Sequence, residues 1–330
     1  MSQFRQDIVS GDWIVMAPER AKRPHDLFAG KKRRVVSPKR TCPFEDLKKS
    51  GNWPPIATRP AGDKWRVAVI PNKYPALMHE KGCTTETKEG PYRMLDGVGH
   101  HELVVTRDHM KSFRDLTPSQ ALEVFQTFRD RFRFFYKDTC MVYTSAFFNW
   151  GPTAGASVYH PHYQMLTLPI VPPDIARSLR GSKRYFKAHR RCVHCEMVAF
   201  EKRQKKRVIA ENRWAIAFAP FISHQPFEVR VFPKEHLPFF EKTSEAKLRS
   251  FVKVLQSVLS RMGRYLNDPD LNFFIHTAPL RGAREYRFYH WHVEVLPKIT
   301  VPAGFELSTG VDINVINPEW AAGVLRGRRK

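Results

Sequence analysis

The chain has 330 residues, 42% hydrophobic and 12% aromatic, enough for a sizeable core in two units of similar size or one large α/β domain. That composition excludes wholesale disorder, no apolar run approaches the ~18 residues of a membrane span, and the N-terminus MSQFRQDIVSGDW lacks a secretory signal's apolar stretch. The net charge is +23, and five cysteines are too few, and odd in number, for a disulfide framework, so a reducing, cytoplasmic setting is expected.

Along the chain, the first feature is a basic run, Lys31 to Arg40, with six cationic residues. Two more follow, five cations in Lys202 to Arg207 and four in Arg326 to Lys330, and outside the three the excess is only 8. They read as loops and a tail, and they imply polyanions nearby: phosphorylated metabolites, nucleotides or nucleic acid. Next comes a paired-ligand signal, Cys42-Pro43-Phe44-Glu45. A β-rich run from Glu102 leads to Asp108-His109 and then to a helix opening at Thr117-Pro118-Ser119-Gln120, a Thr N-cap with Pro at the first helical position and a capping-box Gln. The helix carries an apolar stripe of Leu122, Phe125, Phe128, Phe132 and Phe135. A strand ending in His160-Pro161-His162 completes the first half.

The same order then recurs. Gly181 to Arg191 and Lys202 to Arg207 flank the junction, and Cys192-Val193-His194-Cys195 lies between them. A β-rich run from Glu228 leads to Glu235-His236, to a helix striped by Leu248, Phe251, Leu255, Val258, Leu259 and Met262, and to His290-Trp291-His292. Cys192 follows Cys42 by 150 residues, His236 follows His109 by 127, and His290 follows His160 by 130. Four landmarks in one order at comparable spacing mark a duplicated α+β unit. Each copy is expected to be a mostly antiparallel sheet with one long helix, because the connections are too short for repeated βαβ crossovers.

Cys192 and Cys195 have the spacing of a zinc knuckle, and His236 and His290 hold the matching positions for a third and fourth ligand. The first copy offers Cys42, His109 and His160, with Glu45 where a second cysteine would stand. A carboxylate oxygen ligates zinc, so this site is chemically acceptable, although with Glu45 as a mere surface residue it would be weak or empty. Zinc, two ions per chain, is therefore the expected cofactor. Cys83 and Cys140 read as ordinary residues, and His189 and His194 lie beside the knuckle, where they serve it or are as easily exposed.

A small-residue loop, Gly151 to Ser157, feeds into His160-Pro161-His162-Tyr163-Gln164. Such a loop lets backbone N–H groups and the Ser157 hydroxyl approach a phosphate. On a strand, His160, His162 and Gln164 share a side, so one histidine can hold a metal while the other attacks phosphorus. Gln164 can then hydrogen-bond a phosphate oxygen as charge develops.

The segment HPHYQ with its GASVY approach resembles the His-x-His-x-Gln motif of the nucleotidylyltransferase branch of the histidine-triad superfamily, the galactose-1-phosphate uridylyltransferase and ADP-glucose phosphorylase family. Asp12 to Val15 with Pro18 to Pro24 is similar to that family's N-terminal signature, and Ile70 to Pro75 to its nucleotide-contacting strand. Met165 to Pro173, Pro226 to Glu228 and Gly304 to Glu306 are also alike, so the likeness covers nearly the whole chain. The resemblance implies tandem histidine-triad-like units, residues 1–180 catalytic and 181–330 holding structural zinc and completing the substrate site. It implies a two-step transfer in which His162 attacks the α-phosphorus of a nucleoside diphosphate sugar, releasing sugar 1-phosphate. His160 would hold zinc and Gln164 would steady the phosphoryl oxygens. Asn72, Asn149 and Ser157 would contact the nucleotide, Arg20 and Arg23 the diphosphate, and Phe305 and Glu306 the hexose.

Tyr163 is bulkier than the small residue usual in the motif and implies a differently shaped phosphate loop. The second copy has Glu294 where Gln164 stands and should be non-catalytic, with His290 a ligand and His292 a ligand or its support. The expected partners are a nucleotide-sugar with a sugar 1-phosphate, or with inorganic phosphate if the enzyme is an adenylyl-transferring phosphorylase. The uridylyl form is the leading expectation. A homodimer follows the family's habit, no membrane is involved, and nucleic acid is not the main business, because the basic runs carry no interleaved base-reading residues.

Overall fold

The structure is a computed structural model that describes residues 1–22, 36–79, 82–282 and 284–328. Strands β1 (Gln3–Gln6) and β2 (Trp13–Met16) form a hairpin at the start of the chain. β3 (Ala57–Arg59), β4 (Val67–Pro71), the exposed hairpin β5 (Glu86–Glu89) and β6 (Tyr92–Leu95), and β7 (His100–Thr106) follow. Helix α1 (Pro118–Phe135) starts with the expected capping box, Gln120 N–H donating to Thr117 Oγ1 and Thr117 N–H to Gln120 Oε1. β8 (Tyr143–Trp150) and β9 (His162–Leu168) close the first copy.

Helices α2 (Pro173–His189) and α3 (Val193–Gln204) connect the copies. The second copy comprises β10 (Val208–Glu211), β11 (Ala215–Phe218), β12 (Val229–Pro233), α4 (Glu245–Tyr265), β13 (Leu271–His276) and β14 (His292–Pro297). Helix α5 (Gly304–Thr309), strand β15 (Asp312–Asn314) and helix α6 (Pro318–Leu325) end the chain.

Ten strands form one antiparallel sheet in the order β10-β11-β12-β14-β13-β8-β9-β7-β4-β3. Outward from the central β13/β8 pair, the two halves have the same order, strand for strand: β8 with β13, β9 with β14, β7 with β12, β4 with β11, β3 with β10. The duplicated α+β unit is therefore present, with its two sheets joined edge to edge where Asn272 pairs Asn149. Joining them removes one exposed strand edge from each copy and lets one core serve both. α1 and α4 lie side by side on one face, and Phe125 of α1 meets Phe251 of α4 at 6.1 Å between ring centroids. Tyr163, Phe148 and Phe273 fill the space beneath them, all in one buried cluster. A buried two-pronged pairing of Arg131 with Glu102 clamps α1 onto β7.

Several expectations change. Gly181 to His189, beside the junction, continue α2, so residues 180 and 181 share one connecting helix. Lys202 and Arg203 sit in the last turn of α3, at the helix end that favours cations, so this basic run is only partly loop. Lys31 to Val35, with Arg23, and Arg329 and Lys330 lie outside the described residues. Cys83 and Cys140 are not independent thiols: they form a disulfide with Cα atoms 4.9 Å apart. Spacing could not reveal this, since 57 residues separate the two and only the packing of the two loops brings them together. Among the described residues, no helix is long and apolar enough to cross a membrane.

Candidate active site and metal centres

The His-x-His segments open strands rather than end them: His160 precedes β9 and His162 is its first residue, as His290 and His292 stand before and at the start of β14. Across β7 and β9, Val105 pairs with His162 and Leu103 with Gln164. Alternation then puts His162 and Gln164 on the face away from α1, while Tyr163 and Met165 point under it. Tyr163 is thus a fully buried core residue, stacked on Phe148 at 4.6 Å, and it does not shape the phosphate loop. Its bulk is accommodated because the helix face needs an aromatic ring there.

His162 donates its Nδ1–H to the His160 carbonyl at 2.9 Å, which fixes the tautomer and leaves the Nε2 lone pair available. Burial lowers its pKa, so the ring is neutral at pH 7, the form that attacks an electrophile. The Phe44 ring lies 5.2 Å from it and shields this side from water. Asn149 on β8 follows Phe148, the partner of Tyr163, and pairs across the seam with Asn272. Asn272 donates both to Asn149 Oδ1 and to the Ala154 carbonyl at 2.8 Å, pinning the small-residue loop to the central seam. Gly155 in that loop has φ +86°, open to glycine at little cost, and Ser157 is exposed at the loop's tip.

His101 is the residue that the sequence pattern did not single out. Its Nδ1 accepts the Ala76 N–H at 3.1 Å, so its Nε2 carries the hydrogen and donates to Gln164 Oε1 at 3.0 Å. With Oε1 so engaged, the Gln164 amide keeps its NH2 for another acceptor. The Asn72 amide nitrogen lies in contact with the same ring edge, 3.0 Å from Nε2, and Asn72 Oδ1 accepts the Tyr74 N–H at 2.9 Å. Asn72, His101, Gln164 and His162 therefore line one surface, contributed by adjacent strands and the loop after β4. The signal for His101 is weak in the sequence: it is one of two consecutive histidines, and only strand register tells which of them faces the site.

Cys42, His109 and His160 bring their ligand atoms within 4.8 Å of one another, and Glu45 reaches two of them from the side. His160 donates Nε2–H to the Thr106 carbonyl at 2.6 Å and turns Nδ1 toward Cys42 Sγ at 3.4 Å and Glu45 Oε1 at 3.7 Å. Burial is the main reason its pKa falls to about 4, which keeps Nδ1 free to ligate. His109 donates Nε2–H to the Ser37 carbonyl at 2.8 Å, and its Nδ1 lies 2.9 Å from Glu45 Oε1. Both of these atoms are buried without a hydrogen bond. Two orphaned acceptors facing each other beside a thiol fit a cation between them.

The second group is Cys192, Cys195, His236 and His290, with ligand atoms within 4.8 Å of one another. His236 donates Nε2–H to the Arg287 carbonyl at 2.9 Å and directs Nδ1 to Cys195 Sγ at 3.3 Å, while His290 Nδ1 lies 3.5 Å from the same sulfur. Cys192 caps the N-terminus of α3, where the helix dipole favours a thiolate. A hydrogen bond from Cys195 holds the Cys192 thiol far below its ordinary value. This set too fits a tetrahedral metal. His194 is not exposed but 1% accessible, packed on Tyr289 and Phe232, whereas His189 does lie at the surface, against Tyr185.

The second copy reproduces the His162 tautomer, with His292 Nδ1–H donating to the His290 carbonyl at 3.1 Å. Its Nε2, however, faces Glu294 at 3.5 Å, and the ring is stacked between Phe232 and His276. Arg230 reaches the same Glu294 at 3.0 Å. The position is filled by an ion-paired network.

Arg20 lies on an exposed 3-10 turn, Pro18–Lys22, at the Met16/Asn314 end of the parallel β2/β15 pair. Phe305 and Glu306 lie on α5, which enters that pair at its other end, and Glu306 accepts the Ala303 N–H at 3.0 Å as a helix cap. Among the described residues, no hydrogen bond, ion pair or ring contact joins Arg20, Phe305 or Glu306 to the His162 surface. Arg23 lies outside the described residues.

A neutral, desolvated imidazole beside an oriented amide and a small-residue loop, on this duplicated fold, is the equipment of a nucleotidyl-transferring enzyme. A family model described as a domain of unknown function (DUF4921) matches residues 60–325. An ADP-glucose phosphorylase from Arabidopsis thaliana is 33% identical over 98% of this chain and 92% of its own length. A crystal structure of an ADP-glucose phosphorylase from the same plant, with bound ADP-glucose, superposes with a TM-score of 0.84 at 30% identity, covering 99% of both chains. A galactose-1-phosphate uridylyltransferase from Thermotoga maritima is 26% identical over 99% of this chain and 98% of its own length. The chain belongs to the galactose-1-phosphate uridylyltransferase and ADP-glucose phosphorylase family.

Proposed function

We propose that the chain moves a nucleoside monophosphate from a nucleotide-sugar to an acceptor phosphate through a covalent bond to His162. The observation that carries this reading is the hydrogen bond from His162 Nδ1–H to the His160 carbonyl, which leaves Nε2 as a neutral, buried nucleophile. In the first step Nε2 attacks the α-phosphorus, an N–P bond forms, and the P–O bond to the β-phosphate breaks, releasing hexose 1-phosphate. In the second an acceptor phosphate oxygen takes the phosphorus and the N–P bond breaks. Gln164, oriented by His101, donates to the non-bridging oxygens as charge builds on them. Asn72, Asn149 and Ser157 serve the nucleotide, Arg20 and Arg23 the diphosphate, and Phe305 and Glu306 the hexose.

Zinc is the metal we assign to both ligand groups, since thiolate and imidazole donors in a closed set of four suit it. Cys42, Glu45, His109 and His160 would hold one ion and Cys192, Cys195, His236 and His290 the other. When bound, zinc supplies folding energy and holds the chain around His160, two residues from the nucleophile. Residues 1–180 act as the catalytic unit and 181–330 as the structural one. We place the enzyme in the cytoplasm, with Cys42, Cys192 and Cys195 as free thiols for ligation and Cys83 joined to Cys140. A second copy of the chain is the proposed protein partner, supported by exposed Val301 and Leu307 around α5.

Two donors fit. The Thermotoga relative supports UDP-glucose with a hexose 1-phosphate acceptor. Higher identity to the phosphorylase favours ADP-glucose with inorganic phosphate. Intact mass after brief incubation with each donor, without acceptor, separates them: a gain of one UMP or one AMP names the nucleotide. No adduct with either donor would overturn the covalent reading.

A further inference from the structure

On the opposite side of β7 from His162, three side chains converge that the transfer reaction does not use. His79 Nε2 and His100 Nε2 each lie 3.0 Å from one oxygen, Oδ2 of Asp138. The two rings are stacked, 4.3 Å between centroids and 25° apart in plane. His100 adjoins His101 on β7 and so faces the other way, against Phe135 at the end of α1. We propose that His79, His100 and Asp138 form a third metal site, which takes a divalent transition-metal ion such as Zn2+ through two imidazole nitrogens and one carboxylate oxygen.

The spacing supports this. Zinc–nitrogen bonds of ~2.0–2.1 Å and zinc–oxygen bonds of ~2.0–2.2 Å put neighbouring ligand atoms roughly 3–3.4 Å apart around one ion. The two Nε2 atoms and Asp138 Oδ2 lie within 4.8 Å of one another, close enough to share one ion. The carboxylate is held in place by the backbone, because Asp138 Oδ1 accepts the Cys140 N–H at 3.0 Å and so leaves Oδ2 for the histidines. Asp138 stands just beyond the C-terminus of an 18-residue helix, where the dipole favours a cation. The Cys83–Cys140 disulfide ties the segment after His79 to the one after Asp138, so two of the three ligand segments are joined before any metal arrives.

The site differs in character from the two cysteine-containing groups. The His79 side chain is 46% accessible and those of His100 and Asp138 about one sixth, so solvent reaches the ion and completes its coordination. With no thiolate and an open position, it exchanges its metal readily.

The test is a titration of the untagged, full-length protein with Co2+, followed by visible absorption. Cobalt in either cysteine-containing group carries thiolate-to-metal charge-transfer absorption, whereas cobalt at His79, His100 and Asp138 shows only weak d–d bands. The expected result is one equivalent of Co2+ bound without charge-transfer absorption, its affinity falling at least tenfold in both His79→Ala and Asp138→Asn. His79 is half exposed, so its variant keeps the fold, which an unchanged melting temperature verifies. If every bound cobalt shows charge transfer, or the thiolate-free equivalent survives in both variants, the three residues are only an ion-paired cluster. Because the readout is metal binding, failure here leaves the nucleotidyl-transfer reading untouched.

Discussion

Replacing His101 with Phe removes one hydrogen-bond donor from the site while keeping a ring of similar shape. In the native arrangement the His101 Nε2–H engages Gln164 Oε1 at 3.0 Å, and in the proposed reaction this bond would decide which end of the amide meets the phosphate. Its loss forfeits about 1 kcal/mol of net hydrogen bonding and frees the amide to turn, so that Oε1 faces the phosphoryl oxygens for part of the time. Together the two effects amount to roughly 1.5–3 kcal/mol in the transition state, or about 10–100-fold in rate at 1.36 kcal/mol per decade. The Ala76 N–H also loses its partner, but Ala76 is exposed and water replaces it, so the melting temperature should hardly move. The assay is single-turnover formation of the nucleotidyl-enzyme, read by intact mass at saturating donor. His101→Gln, which restores a donor, should recover most of the rate. A His101→Phe rate within threefold of wild type, or a change confined to KM, would refute the positioning argument.

His162→Gly should cut transfer by roughly 10⁴-fold or more, with partial rescue by free imidazole, and turnover persisting without rescue would dismiss His162 as the nucleophile. Cys192→Ala should release one metal ion per chain and lower the melting temperature by about 5 °C or more; elemental analysis and calorimetry check both, and unchanged values remove Cys192 from the ligand set. Burial alone would depress His224, but its hydrogen bond to Asp312 at 2.7 Å and the charge of Glu228 raise its pKa to about 9. A raised pKa in the folded state means that the added stability is complete below the ordinary histidine value of 6.5 and is lost as pH climbs through 9. The pair is about one third exposed, so solvent screening reduces the gain to about 1 kcal/mol. Urea unfolding should therefore find His224→Gln less stable than wild type at about pH 6 and equal to it near pH 10, and a pH-independent difference would contradict the assignment.

Much of the molecule is written in local pattern. The Thr117 capping box and the striped helices after it and after Ser244 are local features, and local propensity carries them. The duplication is visible because both copies keep the same landmarks in the same order, and the eight metal-ligand candidates fall out of that alignment without a structure. Chemistry of residue type, cysteine and histidine at ligand spacing, needs only the chain. What the chain could not state was direction and partnership. Whether Tyr163 lines the loop or fills the core depends on which face of β9 meets α1. Whether His100 or His101 faces Gln164 is decided by the register of β7 against β9. The Cys83–Cys140 bond, the His79–His100–Asp138 cluster and the Arg230 network closing the second copy all join residues that are distant in sequence. Such contacts arise only once the two sheets meet at β8 and β13 and the helices cover one face. Side-chain alternation has a period of two, so a single step of register, which no composition encodes, moves a residue from core to site.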